Sequence, residues 1–119
     1  WAKPEKRKVQ FPLGLLGAKA WVEYQPKGVV GVIAPWNFPV NLVMGPVAGA
    51  FAAGNRVMVK TSEFTPATAA LFEEIAPDYF AAEELAFFSG GPEVGKAFAE
   101  LPFDHLLFTG ATGIGRHIL

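Results

Sequence analysis

Asn37 lies in Pro35-Trp36-Asn37-Phe38-Pro39. A side-chain amide held in a turn between two prolines can donate a hydrogen bond to an oxygen on which negative charge develops. The same residue serves equally as an ordinary turn or helix-entry asparagine. Further along, Val59-Lys60-Thr61-Ser62-Glu63 offers a cation and a carboxylate three positions apart. Taken singly, each reads as a surface charge. Near the end stands Phe108-Thr109-Gly110-Ala111-Thr112-Gly113-Ile114-Gly115, a Gly-rich turn leading into a helical pattern. Glycines let the backbone approach a ligand closely, and free N–H groups at a helix start favour a pyrophosphate. The spacing is G-x-x-G-x-G instead of G-x-G-x-x-G, so the turn alone serves a structural role just as well. An acidic residue just past a second strand can accept hydrogen bonds from both ribose hydroxyls, so Glu63 and the glycine turn together favour a nucleotide site. Asp104-His105 is not a catalytic dyad on this reading, because no serine stands in a nucleophile-elbow context and His105 opens a strand. The sequence contains no cysteine. That excludes disulfides, thiolate zinc sites and a cysteine nucleophile within these residues, and no metal site is expected.

The elements that must position these groups follow from the apolar pattern. Val29, Val30, Val32 and Ile33 form a β-branched run, as expected of a parallel strand covered on both faces by helices, and Ala34-Pro35 stops it. From about Val40 to Ala53 almost every residue is apolar or glycine, which predicts a helix buried on nearly all sides. Gly54-Asn55 ends it, since glycine tolerates the left-handed conformation. Arg56 to Lys60 is then a second strand, reached by a crossover that requires parallel pairing. Thr65-Pro66 predicts a capping hydroxyl before a proline at the first helical position, with Leu71, Phe72 and Ile75 sharing one face of that helix. Leu85 to Ser89 reads as a third strand, Glu93 to Leu101 as a short helix, and His105 to Thr109 as a fourth strand. Strands alternating with helices predict a doubly wound α/β domain. Ligands of such sheets bind outside the carboxyl ends of the strands, which places Trp36, Asn37, Lys60 and Glu63 on one rim.

Upstream, Trp1 to Lys8 is polar and basic and reads as an exposed lead-in. Phe11 to Gly17 is an apolar, Gly-punctuated loop. Lys19 to Gln25 alternates with period two, predicting a half-exposed strand with Ala20, Val22 and Tyr24 on one face and Trp21, Glu23 and Gln25 on the other. Trp21 on a polar face fits a contact with another segment or subunit, and equally a single exposed aromatic. At 119 residues, 51% hydrophobic and 18% charged, the chain has the size and composition of one globular domain. A net charge of −1 leaves no electrostatic footprint for nucleic acid or an acidic membrane surface. The longest apolar run contains Asn41 and Pro46 and falls short of the about 20 residues that a membrane span needs, so no membrane contact is expected within the chain. The chain does not begin with Met, shows no signal peptide and stops within a helical pattern, which reads as an excerpt from a longer protein.

Ala34-Pro35-Trp36-Asn37-Phe38-Pro39, Ala53-Gly54-Asn55, Val59-Lys60-Thr61-Ser62-Glu63 with Thr65-Pro66, and the stretch from Phe108 to Gly115 resemble the aldehyde dehydrogenase superfamily in order and spacing. The resemblance covers about Val22 to Leu119, and the ending PFDHLLFTGATGIGRHIL looks most like the branch of coniferyl and fatty aldehyde dehydrogenases. It implies a Rossmann-like parallel sheet with helices on both faces that binds NAD, with NADP possible, and in which the phosphate contact comes from the later glycine turn. Residues 28–119 would be the NAD(P)-binding domain, and residues 1–27 a lead-in and bridging strand toward an oligomerisation arm. Carried over by position, Asn37 would donate to the oxyanion of a thiohemiacetal. Ile33, Ala34, Pro35 and Trp36 would line the cofactor cleft, and Lys60 and Glu63 would hold the adenosine ribose. Gly110, Ala111, Thr112, Gly113, Ile114 and Gly115 would sit at the pyrophosphate.

The resemblance further implies a cytoplasmic homodimer or homotetramer acting on an aldehyde. A non-catalytic nucleotide-binding or assembly module is the reading from another class. Two positions depart from the family. Ala111 stands where serine is usual, leaving only backbone N–H groups for phosphate, and Thr61 stands where proline is usual, which should loosen the loop. The family's cysteine nucleophile and glutamate base would lie beyond Leu119, so the chain alone is expected to be inactive.

Overall fold

The computed structural model describes residues 3–118, so the outermost positions of the two expected domains, Trp1, Ala2 and Leu119, lie outside the described residues. The element order is β1 (Glu5–Arg7), β2 (Ala20–Val22), β3 (Val29–Ile33), α1 (Asn41–Ala52), β4 (Arg56–Lys60), α2 (Pro66–Ile75), a 3-10 turn (Ala76–Asp78), β5 (Leu85–Phe88), α3 (Pro92–Ala99), β6 (His105–Phe108) and α4 (Thr112–Ile118).

β3, β4, β5 and β6 form one parallel sheet in the order β5-β4-β3-β6. The chain steps outward from β3 to β5 and then returns across the sheet to place β6 on the other side of β3. The order therefore reverses beside β3, as in doubly wound sheets. Alternate strand residues point to opposite faces. Val30, Val32, Val57, Val59 and Leu85 form the core with Val43 and Val47 of α1 and Phe72 of α2. Phe72 stacks on Phe87 with ring centroids 4.9 Å apart. On the other face, Phe98 of α3 meets Phe88 at 6.1 Å and Phe103 at 4.9 Å. Helices thus cover both faces, as the sequence predicts. Gly31 faces this second layer, where a β-carbon would come within 2.7 Å of both Leu106 and Phe103.

α1 ends where expected. The Asn55 N–H donates to the Ala50 carbonyl at 3.0 Å and the Gly54 N–H to that of Phe51 at 2.8 Å, with Gly54 at φ 82°. This is a Schellman closure. Asn55 also uses its side chain: Oδ1 accepts from the Lys27 and Gly28 N–H groups at 2.6 and 3.1 Å, which ties the start of β3 to the end of α1.

Several local expectations are corrected. α1 is not buried on nearly all sides. Only Val43 and Val47 are fully buried, and Met44, Gly45, Ala48, Gly49 and Ala52 are exposed, because nothing among the described residues covers that side. Thr65 occupies the N-cap of α2 with Pro66 at the first helical position, yet its hydroxyl makes no cap bond and donates instead to the Ser62 carbonyl at 3.3 Å. The inward face of α2 is Ala69 and Phe72, followed by Ala76, while Leu71 is 51% and Ile75 38% exposed. The lead-in contains a strand: β1 pairs antiparallel with β2, Lys6 opposite Trp21, in a separate two-stranded ribbon. β2 is shorter than the predicted strand and exposed on both faces, because only the ribbon's own partner strand lies beside it. β5 and β6 each end one residue earlier than predicted. No helix among the described residues is long and apolar enough to cross a membrane.

Candidate functional site

The register brings the carboxyl ends of the strands level. Ile33 pairs with Lys60 on one side and Phe108 on the other, and Lys60 pairs with Phe88. Each strand then opens into a loop on the same rim.

The loop after β3 carries Ala34, buried, then Pro35, half-buried, then Trp36 and Asn37, both exposed. The Ala34 N–H donates to the Lys60 carbonyl at 3.1 Å, so the first loop leaves from the end of the second strand. Helix entry does not use Asn37. The N-cap of α1 is Val40, and no side chain caps it. The amide therefore stands at the rim with its donors available, and of the two sequence readings the helix-entry role is removed.

Lys60 is 3% exposed. A buried ammonium is costly unless its protons find acceptors. Here Nζ donates to the Thr61 carbonyl at 2.7 Å and lies 3.7 Å from a Glu63 carboxylate oxygen. The Glu63 side chain is 36% exposed, so the pair has one anchored member and one facing the rim. Thr61 does not loosen this loop, contrary to the expectation drawn from its departure. Its N–H and Oγ1 both donate to the Phe88 carbonyl, at 3.0 and 3.2 Å, and bind the end of β4 to the end of β5. A proline at this position could make neither bond.

The glycine turn occupies the rim after β6. Gly110 to Ile114 are exposed, with Thr112 opening α4 and Gly115 half-buried. The glycines have different reasons. A β-carbon at Gly110 would come within 2.5 Å of the Phe108 ring, an internal requirement, whereas one at Gly113 would meet nothing within 4 Å. Gly113 leaves backbone open toward the outside.

The loop after β5, missed as part of the site, reaches the same rim. Gly90, at φ 136°, and Gly91 precede Pro92 at the start of α3. Gly-Gly-Pro is a turn-forming run, and its position at the carboxyl end of β5 brings it to this rim. Asp104 is structural, as read: Oδ2 accepts from the Val29 N–H at 2.7 Å. No group of three or more His, Asp or Glu residues that could hold a metal occurs among the described residues.

A parallel sheet with its order reversing beside β3, and with the polar and Gly-rich loops gathered at its carboxyl rim, defines a Rossmann-like ligand-binding domain. The Aldehyde dehydrogenase family model matches residues 3–119, and the chain belongs to that family. It is 62% identical to a probable coniferyl aldehyde dehydrogenase of Caulobacter vibrioides, covering 100% of this chain and 25% of that protein. It is 55% identical to the coniferyl aldehyde dehydrogenase of a Pseudomonas species, covering 100% of this chain and 24% of the relative. The chain therefore spans about a quarter of the length of these relatives.

Among solved structures, substrate-bound Staphylococcus aureus AldH superposes with a TM-score of 0.89 at 36% identity, over 99% of this chain and 25% of that one. A NAD-dependent benzaldehyde dehydrogenase from Corynebacterium glutamicum gives 0.78 at 32% identity, over 98% and 26%. An NADP-dependent enzyme from E. coli gives 0.83 at 28% identity, over 98% and 24%.

Proposed function

We propose that these residues are the cofactor-binding part of an NAD(P)-dependent aldehyde dehydrogenase, which oxidises an aldehyde to a carboxylic acid through a cysteine outside these 119 residues. The observation that carries the reading is the gathering of Asn37, the Lys60–Glu63 pair and the glycine turn on one rim.

The residues present fit a nicotinamide dinucleotide. Gly113 presents backbone with no internal reason for glycine. Lys60 Nζ, anchored through one bond to the Thr61 carbonyl, retains protons for a further acceptor. Glu63 can accept from ribose hydroxyls, and Ile33, Ala34, Pro35 and Trp36 supply the apolar wall between β3 and α1. When bound, the nicotinamide accepts a hydride. Asn37 would donate from its amide to the oxygen that becomes negative as the thiolate adds to the carbonyl. Trp36 beside it would limit water around that oxygen.

The aldehyde named by the two coniferyl relatives makes an aromatic α,β-unsaturated aldehyde the first substrate to try. The same proposal includes a homodimeric or homotetrameric, cytoplasmic parent, with residues 1–27 as the bridging arm. Trp21, 59% exposed, and Phe11, Leu15 and Leu16, each about 80% exposed, favour a covering subunit there. The test is NADH or NADPH production at 340 nm by the full-length protein with coniferyl aldehyde and with an aliphatic aldehyde. Absence of turnover with either, in folded protein that also fails to bind nucleotide, overturns the proposal.

A further inference from the structure

Thr61 stands between the lysine and the carboxylate of the rim, and at 4% exposure it is too buried to meet a bound nucleotide itself. Its carbonyl nevertheless anchors the cation. Among the described residues that carbonyl is the hydrogen-bond acceptor of Lys60 Nζ, at 2.7 Å, so the ammonium stands where the carbonyl stands. The Thr61 carbonyl is in turn fixed from both sides. Upstream, the Thr61 N–H and Oγ1 reach one acceptor, the Phe88 carbonyl, at 3.0 and 3.2 Å. Those two bonds pin the nitrogen and the side chain of a single tetrahedral carbon, which leaves its third substituent, the carbonyl carbon, little freedom of direction. Downstream, the Ser62 carbonyl accepts from the Thr65 N–H and Oγ1 at 3.2 and 3.3 Å, and Ser62 Oγ accepts from the Phe64 N–H at 3.3 Å. The peptide that carries the anchor is fastened at both ends.

A lysine ammonium rides on a flexible four-carbon stem and has much rotamer freedom to lose when a ligand needs it in one place. An acceptor held in advance removes part of that loss, which is how pre-organisation becomes affinity. We infer that Thr61 is a positioning residue for the nucleotide: through its bonds to the Phe88 carbonyl it holds the carbonyl that anchors Lys60, and so sets how far the lysine can offset Glu63 toward the 2′-phosphate of NADP+. The inference rests on the nucleotide reading of the rim. It makes discrimination between the two nucleotides depend on the end of β5, 27 positions away and on a neighbouring strand. The hydroxyl can be removed by itself. Thr61→Val keeps the branched shape and the N–H bond, and the Phe88 carbonyl keeps that donor, so no buried acceptor is left unpaired.

The test is calorimetric titration of the full-length parent with NAD+ and with NADP+, for wild type, Thr61→Val, Thr61→Ser, Lys60→Met and the double variant Thr61→Val/Lys60→Met. Thr61→Val is expected to raise Kd for NADP+ by about 3–10-fold, the effect of one lost hydrogen bond, and Kd for NAD+ by less. Thr61→Ser keeps the hydroxyl and is expected to restore the ratio of the two constants. In the Lys60→Met background Thr61→Val should have no further effect, because a residue that acts through the lysine has nothing left to act on. A hydroxyl that serves the fold alone would weaken both nucleotides alike and would do so in both backgrounds. Equal weakening, an effect that persists beside Lys60→Met, or unchanged constants in Thr61→Val each overturn the inference. Should Thr61→Val not accumulate as folded protein, Thr61→Ala, which also keeps the N–H bond, takes its place in the same cycle. Wild type that binds both nucleotides while Lys60→Met leaves the constants unchanged overturns the inference and spares the glycine turn's part in the cofactor reading. Wild type that binds neither nucleotide overturns that reading, and the inference with it.

Discussion

Asn37 and Glu63 reach the same rim by different routes, and substitution separates their roles. The amide of Asn37 is not spent on capping α1. In the full-length enzyme Asn37→Ala should lower kcat by about 10²–10³, as loss of one oxyanion donor does, with little change in nucleotide affinity. Steady-state kinetics beside a nucleotide titration measure both, and near-normal kcat would return Asn37 to turn duty. Glu63 sits 3.7 Å from buried Lys60, so the site presents a carboxylate with a cation behind it. A carboxylate placed at the ribose, as proposed, would oppose the 2′-phosphate of NADP+ while the lysine would attract it, so the expected outcome is preference for NAD+ without exclusion of NADP+. Glu63→Gln removes the repulsion at nearly constant size. The ratio of kcat/KM for NAD+ to that for NADP+ should fall, and an unchanged ratio would remove Glu63 from the ribose. Spacing alone was enough to place these two residues on the rim. The hold on Thr61 was not legible, because its partner, the Phe88 carbonyl, stands 27 positions away and its identity is set only when β4 and β5 lie side by side.

The central strands were readable because a parallel strand covered on both faces must be apolar on both, and β-branched runs such as Val29–Ile33 have few other uses. β1 was not, because Glu5-Lys6-Arg7 has no apolar pattern and becomes a strand only through its partner. The burial of α1 was overestimated for a related reason: composition reports what a helix can cover, not whether its cover is present. The amino end of the sheet is held by Asp104, which accepts from Val29 N–H and returns its own N–H to the Val29 carbonyl at 3.0 Å. Gly28 lies against that carboxylate at φ 132°, and any β-carbon would collide with it. Gly28→Ala should therefore cost about 1–3 kcal/mol of stability, and Asp104→Ala about 1 kcal/mol through the lost hydrogen bond, both read from urea midpoints. Glu5 holds Tyr24 above the ordinary phenol value of 10.0, first by accepting its O–H at 2.8 Å and then by charge. The folded ribbon thus binds this proton more tightly than the unfolded chain does. Its contribution is whole below pH 10 and is lost as pH rises through the raised folded value. Absorbance titration at 295 nm, compared with Tyr24→Phe, should place this phenolate later than an ordinary tyrosine.

At the scale of the molecule, these 119 residues hold rim chemistry but no thiol, so the chain alone should produce no NADH from an aldehyde above the blank rate, even where it binds nucleotide. Turnover by mass-verified chain would refute the covalent scheme. The position of β3 between β4 and β6 has a further consequence for how the protein is made. Val30 pairs with Val57 on one side and with His105 on the other, so the neighbours of one strand leave the ribosome at different times. β3, β4 and β5 can assemble while β6 is still inside the exit tunnel, and pairings distant in sequence close slowly. Until then the most apolar strand of the sheet presents a free edge of backbone donors and acceptors, the feature that draws nascent chains into mispairing and chaperones into service. Asp104, immediately ahead of β6, accepts from the Val29 N–H in the folded sheet, a bond that fits only the register in which the edge is sealed.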